Sequence, residues 1–512
     1  MAILYRFAPR DRRLEPVNLL QYEQRITGVV EEVFDENLKD VHVYETYFEF
    51  TLERSVPLSS LLKMGRHLQS ALHFSYHFRR QAVEMYALVT REEDSFSVSF
   101  LDRTVCELSP QALAERVRTS RGYREEAGEW ANLVNYLTLY TVQLNEESVT
   151  RFFPWAYILN EHSENGSLFR VRLQHRRIEV RPQEESDFSF SYNSFPESFF
   201  VFDHLYTGDR DYGKYADLAR LISCEPARDD RIAARIRELL SLEGAHIPPV
   251  PPALLSTRLP SGKHPYVFRV HNVGQGLATS LEYNKTRILY FDFGIAYGRN
   301  IKTLPPHVDL TIAEQGIIIL SHTDEDHWCG FRKEPLGLSA TWIIPRQRSK
   351  APFSKAVAAI LLNHGKVYYN NPNGLSCGDF IVAHAGSTLR PGRNPHDFHQ
   401  TGYAMYLHGK DSDGNSRNIA ISGDQDYDYQ PQAQLHGLHL LVACHHGGKY
   451  SWSRRCSLPA PADDSGRVVY SYGVNNSYMH PSETRAYELA GWNDRVNTPD
   501  GDYFEEITIS LR

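Results

Sequence analysis

The sequence lacks any long uninterrupted apolar segment. No apolar run approaches the roughly 20 residues that a membrane-spanning helix needs. Residues 1–16 have neither the apolar core nor the small-residue cleavage site of a secretory signal peptide. The cysteines are scattered without CxxC pairs, as is typical of reduced thiols rather than of a disulfide framework. There are six of them: Cys106, Cys224, Cys329, Cys377, Cys444 and Cys456. These absences predict a cytoplasmic protein without membrane contact.

An excess of positive charge is absent as well. Lysine and arginine total 55 against 63 aspartate and glutamate residues, which gives a formal net charge of -8. The molecule as a whole is therefore not a general polyanion binder, and any contact with nucleic acid has to be local. A length of 512 residues predicts about two to four domains.

The first half, residues 1–245, contains no catalytic motif, and we expect an α+β domain of unknown fold. Its periodicities predict strands and helices at several places. The strands are predicted at 41–51 and 95–101, and the helices at 58–88, 110–118, 125–144, 212–222 and 229–242. This half is the part of the chain in which we expect substrate contacts, a protein partner or an oligomer interface.

Two segments of this half carry alternative interpretations. Arg170, Arg172 and Arg176 alternate, so one face of a strand would present them to phosphates. The alternative is that this face is simply the solvent-exposed side of a sheet and binds no phosphate. Residues 188–206 are rich in aromatic side chains, which stack on bases or dock a partner. The alternative for that segment is a core strand pair with its turn.

A domain boundary is predicted at residues 246–265, which are rich in proline. Because proline fixes φ and removes a hydrogen-bond donor, this segment is expected to be a semi-stiff linker. It would separate the domain at 1–245 from a second domain at 266–512. Beyond it the pattern changes to short apolar strands that end in Gly, Asp or His.

The densest group of metal-ligand side chains follows the apolar run 317–320, which predicts a buried strand. His322, Asp324, Asp326 and His327 lie within the next seven residues. Imidazole and carboxylate together favour a divalent metal site. The alternative is an ordinary polar loop.

Other predicted strands of this half also end in polar side chains. Their ends carry Asp292, Asp424, the pair His445 and His446, and the pair Asn476 and His480. A further strand, at 266–270, leads into the glycine-rich turn at 271–276. Several strand ends that each deliver Asp or His predict loops that converge on one site.

The series of motifs resembles the metallo-β-lactamase superfamily. The motifs are NVGQG at 272–276, FD at 291–292, SHTDEDH at 321–327, SGD at 422–424, HHG at 445–447 with Lys449, and GVNNSYMHP at 473–481. Their order and spelling are most similar to the C-terminal hydrolase domain of ComEC-type competence (DNA-uptake) proteins. The resemblance covers about residues 266–510 and implies an αββα sandwich with metals at the edge where two sheets meet. The membrane channel of those proteins is not present, which implies a soluble relative.

The resemblance also implies a set of metal ligands. One ion would be held by His322 and Asp324, and the other by Asp326 and His327. Asp424 would bridge them.

Further ligands would complete the two sites. The second site would be completed by His445, with His446 as the alternative. The first site needs a third ligand, for which His399 and His396 are the candidates. Asp292 would orient the metal loop from beneath.

Asp324 stands where the broader superfamily usually has a second histidine. Two divalent ions carry four positive charges, of which Asp324, Asp326 and Asp424 would cancel three and a bridging hydroxide the fourth. The harder oxygen ligand shifts the preference from zinc toward manganese or magnesium. We therefore expect Zn²⁺ or Mn²⁺, with one or two ions per chain.

The activity implied is hydrolysis of a phosphodiester by a metal-bound hydroxide, with a nucleic acid or nucleotide as the substrate. Asp326, Lys449, Asn476 and His480 are the expected catalytic residues. Lys449 would contact a phosphate oxygen, and His480 would act as a general acid or substrate donor. The alternative is that His480 is a structural residue, held by the Asn476 region to close the fold.

Other activities are compatible with the same motifs. One is a hydrolase for a lactone, thioester or phosphocholine ester. Another is a binding or assembly protein in which metal only braces the fold. The fusion of a nuclease-like half to a half without motifs also suits a defence effector that works with a partner, an association rather than a chemical argument.

Overall fold

A computed structural model describes part of the chain. The chain divides into two compact units. The described residues are 3–7, 30, 38–43, 48–52, 83–91, 96–120, 122–137, 139–144, 167–179, 199–202, 215–227, 230–259, 265–347, 350–384, 397–450, 458–501 and 503–509. One unit comprises Met1–Glu107 with Thr138–Ala233, and the other Leu108–Leu137 with Ala234–Arg512. Residues 108–137 thus belong to the same unit as the later part of the chain, and the domain boundaries at 246 and 265 stay a prediction.

The first unit contains two antiparallel sheets. A three-stranded sheet has the order β1-β3-β2, and a six-stranded sheet the order β6-β5-β4-β7-β9-β8. The strands are β1 Ile3–Phe7, β2 Leu38–Val43, β3 Phe48–Leu52, β4 Val83–Arg91, β5 Phe96–Asp102, β6 Leu139–Leu144, β7 Ser167–Glu179, β8 Phe199–Phe202 and β9 Tyr215–Pro226. Helix α1 spans Arg103–Cys106.

Several predicted elements of this region differ from the structure. The strand at 95–101 is confirmed as β5. The helix predicted at 212–222 is wrong, because β9 pairs there with β7 and β8. The end of the helix predicted at 58–88 is also wrong, since β4 begins at Val83, and residues 53–82 lie outside the described part. Pairing with neighbouring strands here overrides helical periodicity.

The two candidate contact segments of the first unit are only partly described. β7 is a strand, as predicted for the arginine row, and Arg170 is exposed. Of the aromatic segment at 188–206, only β8 is described. Phosphate contact by the arginine row and base or partner contact by the aromatic segment stay predictions.

The second unit contains two seven-stranded sheets with the same pairing pattern. Their orders are β15-β14-β13-β12-β11-β10-β23 and β16-β17-β18-β19-β20-β21-β22. In each sheet, read from β23 or from β16, three antiparallel pairings are followed by three parallel ones. The parallel strands therefore send their carboxyl ends to one edge of each sheet.

The strands of the second unit are short. Those of the first of its sheets are β10 Tyr266–His271, β11 Ala278–Tyr283, β12 Thr286–Phe293, β13 Ile317–Ile319, β14 Thr341–Ile344, β15 Lys366–Tyr369 and β23 Tyr503–Ile509. Those of the other sheet are β16 Leu375–Cys377, β17 Phe380–His384, β18 Tyr403–Lys410, β19 Ser416–Ile421, β20 Leu440–Val442, β21 Arg467–Tyr470 and β22 Asp494–Asn497.

Helices accompany both sheets. They are α2 Pro110–Arg118, α3 Gly128–Tyr136, α4 Asp230–Leu239, α5 Leu254–Arg258, α6 Ala351–Leu362, α7 Asp397–Gln400 and α8 Thr484–Leu489. The helix predicted at 110–118 is confirmed as α2, and that at 229–242 as α4. The helix predicted at 125–144 ends at Tyr136, and β6 follows it. No helix in the described part of the chain combines the length and apolar character needed to cross a membrane.

The core of this unit lies between its two sheets. Phe291 and Ile319 of one sheet and Ile421 and Val442 of the other belong to one buried cluster. Tyr487 of α8 packs in a second cluster on the outer side of the other sheet. The two sheets therefore stack face to face, with α8 on the outer side of one of them.

The described part of the predicted linker packs into this unit. The Val250 N–H donates to the Tyr369 carbonyl at 2.8 Å, and the Tyr369 N–H donates to the Pro248 carbonyl at 2.9 Å. Val250 and Leu255 are buried in the core between the sheets. This segment therefore extends the edge of the sheet beside β15.

Candidate metal centre

Eight predicted metal ligands meet at the edge where the parallel strands end. The structure groups them in threes whose ligand atoms lie within 4.8 Å of one another. The groups are His322, His327 and Asp424; His322, Asp324 and His399; Asp326, His327 and His446; and His399, Asp424 and His445. His396 lies outside the described residues.

Asp424 stands between two halves of this centre. Its Oδ1 lies 3.3 Å from His327 Nε2 and 3.7 Å from His446 Nε2. Its Oδ2 lies 3.7 Å from His322 Nε2 and 3.9 Å from His399 Nε2. We call His322, Asp324 and His399 the first half, and Asp326, His327 and His446 the second half. One carboxylate thus faces both halves, which is the geometry of a bridging ligand.

His446, rather than His445, lies in the second half. His446 Nε2 is 3.3 Å from Asp326 Oδ2. His445 Nε2 is 3.9 Å from Asp424 Oδ2, and its ring centroid is 5.1 Å from that of His399. Both histidines have left-handed backbones, with φ of 49° and 55°, a conformation that residues with side chains adopt mainly at constrained sites. The resemblance favours His445 as the ligand, and that choice stays a prediction, although the geometry groups His446 with Asp326 and His327.

Three imidazoles are oriented by protein acceptors on the ring nitrogen that faces away from the centre. His322 Nδ1 donates to Ser321 Oγ at 2.9 Å, and His446 Nδ1 donates to the Ser471 carbonyl at 2.8 Å. His327 Nδ1 donates to Asp292 Oδ2 at 2.9 Å. Such bonds fix the tautomer and turn Nε2 toward a metal.

The opposite ring nitrogens show that a divalent ion fits here. The Nε2 atoms of His322, His327 and His446 and Oδ1 of Asp424 are buried and make no hydrogen bond to any residue that the structure describes. Buried polar atoms of this kind are costly unless a partner satisfies them. Convergent imidazole nitrogens and carboxylate oxygens are suitable ligands for a divalent cation.

Asp292 organises the loop from beneath, as the resemblance implies. Its Oδ1 accepts the Ser321 N–H at 2.7 Å, and its Oδ2 accepts the Ser321 hydroxyl at 2.8 Å. With the bond from His327, Asp292 therefore orients His327 directly and His322 through Ser321. Asp292 itself is buried and has a left-handed φ of 56°.

The carboxylates of the centre are ionised at neutral pH. Burial opposes ionisation of Asp424, but His327 and His445 hold its pKa well below the ordinary value. Burial likewise opposes ionisation of Asp326, and the charge of His327 lowers its pKa.

The histidines of the centre differ in their titration. Burial disfavours protonation of His327, but the carboxylates around it, Asp424 foremost, raise its pKa well above the ordinary value. Burial and the neighbouring His327 lower the pKa of His322. In the metal-free protein, a proton on His327 thus partly balances the negative charge that a metal ion would neutralise.

Lys350 is a residue of the centre that the sequence analysis missed. Its Nζ lies 2.8 Å from Asp324 Oδ1. Burial opposes ionisation of Asp324, and the Lys350 ammonium is the first of the groups that lower its pKa well below the ordinary value. Lys350 follows β14, the parallel neighbour of β13, so its position after a strand that ends at the same edge was the available signal.

His480 lies beside the centre. Its ring centroid is 5.1 Å from that of His445 and 6.1 Å from that of His446. Its Nδ1 is 3.4 Å from Nε2 of Gln275, whose Oε1 accepts the Gly473 N–H at 3.3 Å. The glycine-rich turn at 272–276 thus supplies Gln275 as a buried support for His480.

Asn476 shapes the loop that carries His480. Its Nδ2 donates to the carbonyls of Gly473 and His480 at 2.8 and 2.7 Å. Its Oδ1 accepts the N–H groups of Tyr478 and His480, each at 3.0 Å. The amide is therefore engaged with the loop backbone, and its contact with a substrate stays a prediction.

Lys449 follows the paired histidines and Gly448. Its backbone carbonyl accepts the Cys444 thiol at 3.8 Å. The proposed contact between its ammonium and a phosphate stays a prediction.

Comparisons with known proteins give only distant similarities. The sequence matches no protein-family model and no curated protein. A new diphosphatase from the PhnP family is similar in structure, with 11% identity, coverage of 46% of this chain and 86% of that chain, and a TM-score of 0.27. The metallo-β-lactamase MIM-1 from Novosphingobium pentaromativorans shares 13% identity, with coverage of 47% and 95% and a TM-score of 0.19. At this level the similarities carry no inference about activity.

Proposed function

We propose that this chain is a metal-dependent hydrolase whose centre binds one or two divalent ions. The observation that carries the proposal is the convergence of buried Nε2 atoms on Asp424, with each ring fixed by a bond on its far side. His322, Asp324 and His399 would hold one ion, and Asp326, His327 and His446 the other. Asp424 would contact both, and His445 is the next nearest ligand.

Zn²⁺ and Mn²⁺ are the proposed ions. Imidazole ligands suit both, whereas the carboxylates Asp324, Asp326 and Asp424 shift the preference toward the harder manganese ion. A bound divalent ion lowers the pKa of a coordinated water and stabilises charge on a phosphoryl oxygen.

The side chains around the ligands supply the remaining chemistry. Gln275 donates to Nδ1 of His480 in the orientation that places the imidazole proton on Nε2. His480 would then donate a hydrogen bond from Nε2 to a phosphoryl or leaving oxygen of the substrate. Asp326, which is about a quarter exposed at 24%, would orient the attacking water, and Lys449 would attract a phosphate oxygen.

The proposed substrate is a phosphodiester of DNA, RNA or a cyclic nucleotide. The ComEC-like motif series supports this class, and the arginine row of β7 offers a local site for nucleic acid. The first unit would provide contacts with a partner or a second copy, as in a defence effector. Among the described residues, Cys106, Cys329, Cys377 and Cys444 form no disulfide bond, which supports a cytoplasmic location.

The test combines metal analysis with digestion assays. The purified chain is expected to contain bound metal and, with Mn²⁺ or Zn²⁺, to cleave one of single- or double-stranded DNA, RNA or cyclic nucleotides. Exchange of both Asp326 and Asp424 for alanine should abolish cleavage without loss of the circular-dichroism spectrum. An Asp309→Asn variant, changed at the surface ion pair with Arg287, should cleave normally.

The other outcomes separate the alternatives. Cleavage only of lactones, thioesters or phosphocholine esters would identify a metal-dependent hydrolase with a different substrate class. Bound metal with no cleavage of any substrate would indicate a metal-braced binding or assembly protein. Undiminished cleavage by the double variant would show that the reaction occurs elsewhere.

A further inference from the structure

Lys350 places a fixed positive charge on one half of the centre. The two oxygens of Asp324 have different partners: Oδ1 contacts Lys350 Nζ at 2.8 Å, whereas Oδ2 lies 2.9 Å from His399 Nε2 and 3.4 Å from His322 Nε2. One oxygen is therefore directed at an ammonium and the other at the place where an ion would bind. Lys350 is largely buried, with 19% of its side chain exposed.

In the described part of the chain, the second half has no counterpart of Lys350. The carboxylates of Asp326 and Asp424 contact histidines only, and within the described residues neither forms an ion pair with a lysine or arginine. The full charge of Asp326 is thus directed at an ion in the second half, whereas that of Asp324 is shared.

We propose that Lys350 makes the two halves unequal, so that a divalent ion binds tightly in the second half and only weakly in the first. This inference rests on the proposed metal centre and specifies its occupancy. An ion held by Oδ2 of Asp324 would lie across one carboxylate from the ammonium. In this largely buried setting, water screens the repulsion between the two cations less than it does at the surface.

The charges of the centre also favour tight binding of one divalent ion and weaker binding of a second. Asp324, Asp326 and Asp424 bring three negative charges to the centre, and one divalent ion together with Lys350 brings three positive ones. Asp292 lies behind the ligands, where three hydrogen bonds satisfy its oxygens. A second ion would add two further positive charges and require hydroxide or an anionic substrate to balance them.

This role differs from that of a residue that merely orients a ligand. Loss of an orienting partner usually weakens metal binding by about 10- to 100-fold. Loss of a repelling charge should instead tighten it. Asp324 keeps its contacts with His322 and His399 on the other oxygen when Lys350 is replaced, so we expect the loss of repulsion to dominate.

The test is titration of the metal-free full-length protein with Mn²⁺, followed by calorimetry and electron paramagnetic resonance. In the wild type, one equivalent should bind at least tenfold more tightly than a second, and the spectrum of a coupled manganese pair should appear only with the second. In Lys350→Met, the second equivalent should bind at least tenfold more tightly than in the wild type. Lys350→Arg, which keeps the charge, should behave as the wild type, and Asp326→Asn should lose the tight equivalent.

Each remaining outcome is decisive. Equal affinities for two ions in the wild type, or unchanged or weaker binding in Lys350→Met, would overturn the inference while leaving the metal centre intact. Failure of the folded wild type to bind either Mn²⁺ or Zn²⁺ in the same titration would overturn the proposed centre itself. Thermal unfolding of the metal-free variants checks that each is folded. If Lys350→Met does not fold, Lys350→Gln replaces it as the uncharged variant.

Discussion

At the scale of single residues, the centre depends on groups that touch no metal. Asp292 uses both oxygens to hold Ser321 and His327, and its left-handed backbone shows that the chain is constrained to place it there. An imidazole whose far nitrogen is anchored keeps the orientation that coordination requires. The orientation of the candidate ligands is therefore set by residues such as Asp292, which lie behind them and contact no metal.

Replacement of Asp292 by asparagine is expected to weaken metal binding by about 10- to 100-fold. The amide keeps the shape of the carboxylate but lacks its charge and offers one acceptor oxygen instead of two. The measurement is competition between the protein and a chelator for Zn²⁺ or Mn²⁺. Asp309→Asn is the matched control, since Asp309 pairs with Arg287 and is 65% exposed. Equal affinity in the two variants would contradict the orienting role of Asp292.

Gly448 leaves the space that His480 occupies. A Cβ at this position would lie 2.5 Å from His480 Nε2 and 2.8 Å from the His445 carbonyl, closer than such atoms approach without displacement. Gly448→Ala is therefore expected to displace His480 and to lower the rate of hydrolysis by roughly 100-fold, since a shift of about 1 Å has effects of that size. The rate is measured with the substrate found in the digestion assays.

The rate is compared at full metal occupancy, because the added Cβ also approaches the His445 carbonyl whereas the predicted defect concerns hydrogen-bond donation by His480. Gly122→Ala serves as the control, since no atom of the described residues, apart from its chain neighbours, lies within 4 Å of the added Cβ there. A normal rate in Gly448→Ala would show that the position of His480 is irrelevant to the reaction.

At the scale of secondary-structure elements, one lysine joins two helices of the second unit. Lys355 of α6 is buried, and its Nζ lies 2.9, 2.7 and 2.8 Å from the carbonyl oxygens of Val134, Asn135 and Leu137. These carbonyls lie at the end of α3, where the last turn of a helix leaves acceptors unsatisfied. Burial lowers the pKa of Lys355 to about 7.

The lowered pKa of Lys355 predicts a pH dependence of stability. Between about pH 7 and pH 10, the unfolded chain keeps the proton on this lysine and the folded chain does not. The free energy of unfolding should therefore rise with pH over this window, by up to about 1.4 kcal/mol per pH unit from this group. Below about pH 7 the contribution of Lys355 to the slope disappears.

Chemical denaturation of the metal-free protein between pH 6 and pH 10 measures this effect. The difference between wild type and Lys355→Met isolates it, because methionine cannot titrate. Parallel profiles of the two proteins would show that the folded protein holds Lys355 as a cation at all these pH values.

The sequence predicts the strands of the second unit better than the elements of the first. The apolar runs before Asp292, His322 and Asp424 are short, buried strands in the structure, because fully buried parallel strands have no polar alternation to obscure them. The region of β9 has helical periodicity, yet pairing with the long strand β7 and the short strand β8 makes it a strand. Such pairing depends on distant residues and leaves no local signal.

The same distinction applies to the centre. Its histidines and aspartates stand in recognisable motifs, so their convergence follows from strand order. Lys350 stands in no motif, and only the parallel placement of β14 beside β13 brings it to Asp324. The choice between His445 and His446 depends on two left-handed residues, which the sequence does not reveal.

At the scale of the whole molecule, the metal ligands all belong to one of the two compact units. The loops that carry them come from both of its sheets, so a bound ion would link the loop after β13 to those after β19 and β20. A ligand that binds only the folded state stabilises it by mass action. The stabilisation should therefore be confined to the unit formed by 108–137 and 234–512.

Saturation with Mn²⁺ at a free concentration 100 times the dissociation constant is expected to stabilise that unit by about 2.7 kcal/mol. Hydrogen exchange followed by mass spectrometry, with Mn²⁺ or with EDTA, measures the effect by segment. Protection should increase for peptides that span residues 316–330, 419–426 and 440–448. Peptides from β4 and β5 of the other unit serve as the internal control and should exchange equally in both conditions. If protection rose equally in both units, the ion would be acting on the entire chain rather than through the centre at the edge of these two sheets.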